Sequence, residues 1–361
     1  MPTVATISIR YLGLLGIAIV AWLAVAFSGL FTWLKPTSEA QWVAALYQHK
    51  EAIAGKLEGR KIVVVGGSGA LFGIEAAAIE QDTGIPTVNF ATHAGLDLPY
   101  LLHRGAKTLV AGDLLLLSIE YPLLNHNGQP RPLLVDFAMF FDRPYIHALP
   151  PRAWVDFYLG FDYLAANIDS VKRAAGVTGT AEAVYRVDTL NARGDQTANT
   201  VAAATPDRLQ RVRGMPPIKA DIDSDSVAMQ RLAQTVSELR RRGVGVAIVW
   251  PGMVDRPPYH TATYRAYFDT LTRRFGAFGA VVLGRPEDSL LPLQDMFDTH
   301  FHPNARGRTK LTHQLVARLQ EARLVVCEKL LAKTAESDSE NQRCKIEAPS
   351  GAGADTLGFA R

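Results

Sequence analysis

Two short segments, far apart in the chain, contain residue types that acyl-transfer chemistry uses. The first is the turn Gly66-Gly67-Ser68-Gly69, which follows an apolar run and precedes a helical stretch. A serine in such a turn can expose its hydroxyl, and the N–H groups at the start of the helix point toward developing negative charge. Ser68 is therefore the candidate nucleophile.

The second segment supplies an acid and two histidines, Asp298, His300 and His302. A carboxylate beside an imidazole can fix its tautomer, so that the imidazole can deprotonate a serine. The same three side chains would also face one way on an extended strand and could bind zinc or iron. The turn at Pro303-Asn304 favours a loop, and therefore acid–base chemistry over a metal site.

Other uses of the glycine turn fit the residues less well. Gly67, Gly69 and Gly73 are spaced one residue wider than a dinucleotide-binding loop, and the next apolar run ends in Asn89 instead of an acid. No Lys-Ser/Thr pair follows, which excludes a Walker loop. A glycine-rich turn with a capping serine is the purely structural alternative. None of these patterns calls for a cofactor.

The segments around these motifs alternate between apolar runs and helical patterns. Runs that are apolar throughout are typical of strands covered by helices on both faces of a parallel sheet. Ligands in such folds bind at the carboxyl ends of the strands, where Ser68 would lie. The predicted strands are 61–65, 86–90, 113–119, 244–250 and 280–283. An insertion containing helices is predicted between about 124 and 223.

The N-terminus contains 24 residues without a charge, from Tyr11 to Leu34. As a helix this stretch would be about 36 Å long, enough to span a bilayer core of about 30 Å. We interpret residues 1–34 as an uncleaved membrane anchor. A cleavable signal peptide is the alternative, although the apolar stretch is longer than a usual signal core. Residues 35–60 are predicted to form an amphipathic linker helix, and 331–361 a disordered tail.

Charge and cysteine content exclude some classes of partner and site. The 38 basic and 35 acidic residues are scattered and give a net charge of only +3, so no nucleic-acid surface is expected. Cys327 and Cys344 are too few for a disulfide framework or, by themselves, a zinc site.

Taken together, the two motifs resemble the SGNH/GDSL hydrolase superfamily, particularly its membrane-anchored members. The first block of such proteins is similar to residues 66–73, and the last, a Phe-Asp-Thr segment before a histidine and a glycine, is similar to residues 297–307. The resemblance covers roughly residues 60 to 325. It implies one domain over 61–330 with a three-layer α/β/α, flavodoxin-like parallel sheet.

The resemblance also implies roles for individual residues. Gly307 follows His302 by five positions, as in the family, which makes His302 the base and Asp298 the acid; His300 is the alternative base. The oxyanion hole would comprise Ser68 and Gly95, with Asn89 as a further donor.

The third block of the family departs in this chain. Residues 118–122 read Ser-Ile-Glu-Tyr-Pro where many members have Gly-x-Asn-Asp, so the usual asparagine donor is missing. Asn89 or Tyr121 is a candidate replacement. Loss of one oxyanion donor can raise the barrier by about 2.7–4 kcal/mol.

The implied function is hydrolysis of an acyl ester or transfer of an acyl group by a Ser-His-Asp triad. The substrate would be an acylated small molecule or a cell-surface carbohydrate, and the domain would lie outside the cytoplasm on a single membrane helix. The alternative is a catalytically silent, membrane-tethered binding or assembly module.

Overall fold

A parallel sheet of five strands forms the centre of the computed structural model, which describes residues 4–27, 35–176, 185–329 and 342–347. The strands in chain order are β1 Ile62–Gly66, β2 Thr87–Asn89, β3 Leu114–Ser118, β4 Gly245–Val249, β5 Met253–Val254, β6 Val281–Leu283, β7 Leu290–Leu291, β8 Val325–Lys329 and β9 Gln342–Ile346. The five-stranded sheet has the order β2-β1-β3-β4-β6, and every neighbouring pair is parallel. This is the flavodoxin-like order.

Helices flank the sheet, as expected for strands that are apolar throughout. The helices are α1 Val4–Phe27, α2 Ser38–Ala54, α3 Ser68–Gly73, α4 Ala76–Thr83, α5 Leu98–Lys107, α6 Pro132–Phe141, α7 Arg143–Ala148, α8 Pro151–Gly160, α9 Tyr163–Ala174, α10 Pro206–Gly214, α11 Val227–Arg241, α12 Ala262–Ala277 and α13 Ala305–Glu321. Helices α5 and α11 pack on each other and on β1 and β4, while α13 packs on α3, α4 and β6. All residues of β1 and β3 are buried.

The five predicted strands all lie in the central sheet, so the predicted parallel α/β class is confirmed. The predicted helical stretch over 70–79 differs, because the structure ends α3 at Gly73 and begins α4 at Ala76. The predicted linker segment 35–60 contains α2.

The chain divides into two compact units. One comprises residues 1–41 and 132–180 and contains α1, the start of α2 and α6 to α9; the other comprises 42–131 and 181–361 and contains the sheet. Within the first unit, Thr37 donates its backbone N–H to Asp136 Oδ2 over 2.9 Å. The predicted insertion over 124–223 is therefore shared between the units, because α10 and its neighbours belong with the sheet.

The predicted membrane helix over 11–34 falls only partly on described residues. Helix α1 ends at Phe27, and residues 28–34 lie outside the described ranges. Within those ranges, no helix has both the length and the apolar character needed to cross a bilayer.

The C-terminal region corrects one expectation and adds a disulfide bond. Residues 342–347, inside the predicted disordered tail, include β9, which pairs antiparallel with β8. Cys327 and Cys344 lie directly opposite each other in this pair and form a disulfide. Two cysteines are too few for a framework, but they suffice for one bond when a hairpin brings them together. The remainder of the tail lies outside the described residues.

Candidate active site

Ser68 lies at the carboxyl end of β1, as the first residue of α3. The two residues before it must be small, because a Cβ on Gly66 would lie 2.1 Å from the carbonyl oxygen of Ser118 and one on Gly67 would lie 2.5 Å from Glu120 Oε1. Glycine therefore lets the end of β3 pack directly on the turn. The Ser68 side chain is 9% exposed.

Asp298 and His302 form a hydrogen-bonded pair. His302 Nδ1 lies 2.7 Å from Asp298 Oδ1, and the Tyr185 hydroxyl donates to Asp298 Oδ2 over 3.2 Å. Burial alone would raise the pKa of Asp298, but the hydrogen bonds and charge supplied by His302 and Tyr185 hold it below its usual value. An ionised carboxylate only accepts, so Nδ1 carries the hydrogen and Nε2 of the neutral ring is the acceptor.

Phe72 connects this pair to the nucleophile helix. Its ring stacks on His302 with centroids 4.3 Å apart and an interplanar angle of 7°. Phe72 follows Ser68 by four residues, so both lie on one face of α3, with Cβ atoms about 5–6 Å apart. Within the described part of the chain, Ser68 Oγ forms no hydrogen bond. The structure therefore places the His302 ring against Phe72, one helical turn from Ser68, and no hydrogen bond joins Ser68 to His302.

Asn199 holds the histidine loop against α3. Its Nδ2 donates to the carbonyl oxygens of Phe72, at 3.2 Å, and Pro303, at 2.7 Å. Its Oδ1 accepts from Arg308 Nη1 over 2.8 Å. Asn199 is fully buried, so it acts as a brace between the two catalytic segments.

Asn89 is predicted as an oxyanion donor, but its amide is engaged elsewhere. Nδ2 lies 3.0 Å from the carbonyl oxygen of Ile74 and 3.3 Å from that of Ala70, at the end of α3. Asp195 then accepts the N–H groups of Ala76 and Ala77 at the start of α4, over 2.7 and 2.9 Å. These two side chains explain why the helical stretch is interrupted between Gly73 and Ala76.

Gly95, the other predicted donor, directs its N–H to a side chain of its own loop. The acceptor is His93 Nδ1, at 2.9 Å. Burial, together with the charges of His302 and Arg131, lowers the pKa of His93 to about 4. His93 is therefore neutral near pH 7 and carries its hydrogen on Nε2.

Glu120 follows β3 and lies against the turn that contains Ser68. Its carboxylate accepts the N–H of Gly69 over 2.6 Å. The neighbouring Tyr121 is buried and packs among aromatic rings, which include Trp250 and Phe301.

His300, the alternative base, is placed less favourably than His302. Its Nδ1 has no hydrogen-bond partner in the described structure, so no carboxylate orients the ring. Burial lowers the pKa of His300 to about 4, with the charges of Arg256 and His302 adding to the effect. A metal site at Asp298, His300 and His302 is the other interpretation. Among the described residues, no three such side chains lie close enough together to hold a metal ion.

Several residues that build the site carried no functional signal in the sequence. Tyr185 and Asn199 lie in the weakly periodic segment after residue 124, where no pattern marks them. The stretch from Asn191 to Asp195 predicts only a turn. The structure shows instead that Asp195 is fully buried and caps α4.

Comparisons with known proteins give similarity at the level of solved structures alone. No family model and no curated protein matches the chain. The YxiM protein of Bacillus subtilis is 11% identical, with a TM-score of 0.35, over 74% of this chain and 57% of its own. A protein from Streptococcus pneumonia, provisionally described as a platelet activating factor, is 13% identical, with a TM-score of 0.33, over 82% of this chain and 99% of its own. The chain thus spans little more than half of YxiM, and its activity must be argued from its own residues.

Proposed function

We propose that this chain is an acyl-ester hydrolase or O-acyltransferase of the SGNH type, with Ser68, His302 and Asp298 as its triad. The observation that supports it is the position of the His302 imidazole. Asp298 orients this ring through a hydrogen bond, and the ring stacks on Phe72, which lies one helical turn from Ser68. This arrangement has the three parts of nucleophilic catalysis: a nucleophile, a base and a group that orients the base.

The proposed reaction has two halves. Ser68 Oγ attacks the ester carbonyl carbon while His302 Nε2 takes its proton, and the same proton then goes to the departing alcohol. In the second half, water or a sugar hydroxyl gives its proton to His302 and attacks the acyl-serine. The bond between the acyl carbon and Ser68 Oγ then breaks, His302 returns the proton to Ser68 Oγ, and the acid or the new ester is released. Asp298 keeps its charge throughout and stabilises the imidazolium in each half. The proposed substrates are acylated small molecules or cell-surface carbohydrates, as the family resemblance implies.

We also propose a membrane-anchored chain whose catalytic domain lies outside the cytoplasm. The described side chains of α1 are apolar and most are exposed, for example Leu12 at 67% and Ile17 at 68%, while Trp22 is half-buried against Tyr163. A helix that is apolar all round needs a protein core or a lipid environment around it. The Cys327–Cys344 disulfide is of the kind that persists in oxidising compartments.

A catalytically silent module is the second candidate, and specific contacts favour it. Ser68 has no hydrogen bond to His302, and the N–H groups of Gly69 and Gly95 are both engaged by side chains. A site in this state would retain the fold and its cleft without efficient turnover.

Labelling with a serine-directed fluorophosphonate tests the proposal. We expect the wild-type protein to be labelled at Ser68, and expect Ser68→Ala and His302→Ala to abolish labelling. Ser289→Ala is the matched control, because it removes a hydroxyl at the same end of the sheet and should be labelled like the wild type. Labelling that persists in Ser68→Ala would refute the assignment of the nucleophile.

A further inference from the structure

Glu120 makes contacts that acyl transfer by itself does not require. It follows β3, is only 4% exposed, and its two carboxylate oxygens accept N–H groups from both neighbours of Ser68. Oε1 accepts from Gly69 over 2.6 Å and Oε2 accepts from Gly67 over 3.2 Å. The carboxylate is therefore hydrogen-bonded to the backbone on both sides of Ser68.

The nucleophile turn is shaped to receive this carboxyl group. A Cβ on Gly67 would lie 2.5 and 2.7 Å from its two oxygens, and one on Gly69 would lie 3.0 Å from Oε1. Both glycines flanking Ser68 thus leave room for Glu120 as well as for the turn. The contact is a packed feature of the fold and not a loose surface interaction.

An ionised carboxylate at this place acts against acyl transfer in two ways. It occupies the N–H of Gly69, beside the proposed nucleophile, so this donor is not free to stabilise developing negative charge on an ester oxygen. It also adds a negative charge close to the place where that charge forms, in a site of low dielectric where such effects are strong.

We propose that Glu120 is a positioning residue that restrains Ser68: its carboxylate holds the turn, and acyl transfer proceeds from the form in which this carboxylate has taken up a proton from water. The inference rests on the proposed function, since it assumes that Ser68 is a nucleophile. Hydrogen bonds to a neutral carboxyl are about half as strong as those to a carboxylate, so the protonated form frees the turn and removes the opposing charge.

The surroundings of the carboxyl group are consistent with proton uptake. Burial raises the pKa of Glu120, while the N–H groups of Gly69, Glu120 itself and Gly67, together with the charge of His302, act in the opposite direction. His302 is the titratable side chain that interacts electrostatically with this carboxyl among the described residues. The net effect is to raise the pKa of Glu120, so this carboxyl keeps its proton to a higher pH than an ordinary glutamate does.

The test is the rate of fluorophosphonate labelling at Ser68 from about pH 5 to about pH 9. In the wild type we expect the rate to fall on the alkaline side, as Glu120 ionises. Glu120→Gln cannot ionise, so its rate should stay level there and exceed the wild-type rate by about tenfold or more. Glu287→Gln is the matched control, because it removes a carboxylate near the same sheet end without touching the turn, and should keep the wild-type profile.

Each result decides the inference. Labelling of the wild type without an alkaline fall, or an unchanged profile in Glu120→Gln, overturns the restraint and leaves the proposed function standing. Labelling of Glu120→Gln in the absence of wild-type labelling supports the restraint. Labelling of neither protein, with both folded by circular dichroism, overturns both proposals. If Glu120→Gln fails to fold, the wild-type profile alone decides.

Discussion

At the scale of single residues, His302 is held by contacts of two kinds. Asp298 fixes the edge of the ring through a 2.7 Å hydrogen bond, and Phe72 covers one face at a centroid distance of 4.3 Å. In the proposed reaction the imidazole takes the serine proton and becomes a cation, and an aromatic face beneath a cation is stabilising by about 0.5–2 kcal/mol. Both contacts therefore favour the imidazolium that the proposed reaction requires.

The first prediction is that the three proposed triad residues act as a unit. Ser68→Ala and His302→Ala should each abolish hydrolysis of a short acyl ester, and the double variant should be little worse than either, because such effects are strongly non-additive. Asp298→Asn should lower kcat by up to about ten thousandfold by favouring the wrong tautomer. Steady-state kinetics measure this. Additive losses would contradict a triad.

The second prediction concerns the Tyr185 hydroxyl, which helps to lower the pKa of Asp298. A lowered carboxyl pKa stabilises the fold above the unfolded pKa, and this contribution is lost as pH falls through the folded value. Tyr185→Phe should therefore cost about 1 kcal/mol at neutral pH, and this cost should shrink as pH falls, because the wild type loses the same contribution when Asp298 takes up a proton. Urea unfolding at several pH values measures both effects.

Tyr264→Phe is the control for Tyr185→Phe. It removes a hydroxyl that donates to the Ile218 carbonyl oxygen, which does not titrate, so its cost in stability should be similar at neutral pH and should not shrink as pH falls. A cost that depends on pH in the same way in both variants would contradict the assignment to Asp298.

At the scale of elements, Asn199 links the end of α3 to the loop that contains His302, and so connects the two segments of the proposed site. The third prediction is that Asn199→Ala destabilises the fold by about 1–3 kcal/mol, because the Phe72 and Pro303 carbonyl groups lose a buried donor. It should also lower kcat more than it raises KM, since the serine-to-histidine geometry loosens. Asn125→Ala is the control: its amide makes only exposed bonds, donating to the Asp221 carbonyl oxygen and accepting from the Asp223 N–H. Equal effects of the two variants would argue against a brace.

The fourth prediction concerns Lys50 of α2, which is fully buried and donates from Nζ to the carbonyl oxygens of Asn89 and Ala91 over 2.7 and 2.6 Å. Burial lowers the pKa of Lys50 to about 7 from 10.5, although the charge of Asp195 opposes the shift. Between those values the unfolded chain binds more protons, so the free energy of unfolding should rise with pH across that window.

Denaturant unfolding near pH 7 and near pH 9 tests this rise. In the wild type the rise should be up to about 1.4 kcal/mol per pH unit. Lys50→Met should not show this rise, whereas a variant at the exposed Lys56, Lys56→Met, should retain it. A rise of equal size in all three proteins would assign it to other groups.

The sequence predicts elements better than it predicts their contacts. The five apolar runs predict the strands of the central sheet because burial on both faces demands apolar residues throughout. The sequence also shows that Ser68 follows a predicted strand and that Asp298 lies four residues before His302. The brace formed by Asn199 and the cap formed by Asp195 are not, because both depend on chain segments that meet only after folding. The departure at Glu120 is visible in the sequence, but its contact with Gly67 and Gly69 is not.

At the scale of the whole molecule, the apolar surface of the unit that contains α1 is the dominant feature. Exposed apolar side chains continue on α8 and α9, where Leu159 is 66% and Leu164 is 71% exposed. Large exposed apolar surfaces of this kind mark sites of contact with a membrane or with another protein.

The fifth prediction is that the full-length protein fractionates with membranes and resists extraction by high salt and by alkaline carbonate. Its reason is the apolar N-terminal stretch, whose transfer from lipid to water is unfavourable. Protease added to spheroplasts should digest the domain predicted over residues 61–330, whereas protease added to intact cells should leave it uncut. Recovery of the full-length chain in the soluble fraction would contradict the anchor.

The disulfide between β8 and β9 also makes a closed covalent ring, because the bonded cysteines are 17 residues apart in sequence. A protease that cuts once between Cys327 and Cys344 opens the ring but separates no fragment. On a gel without reductant the nicked chain keeps its full mass, and with reductant it divides in two. Digestion maps of this protein should therefore be read from reduced samples, since an unreduced sample conceals every single cut within the ring.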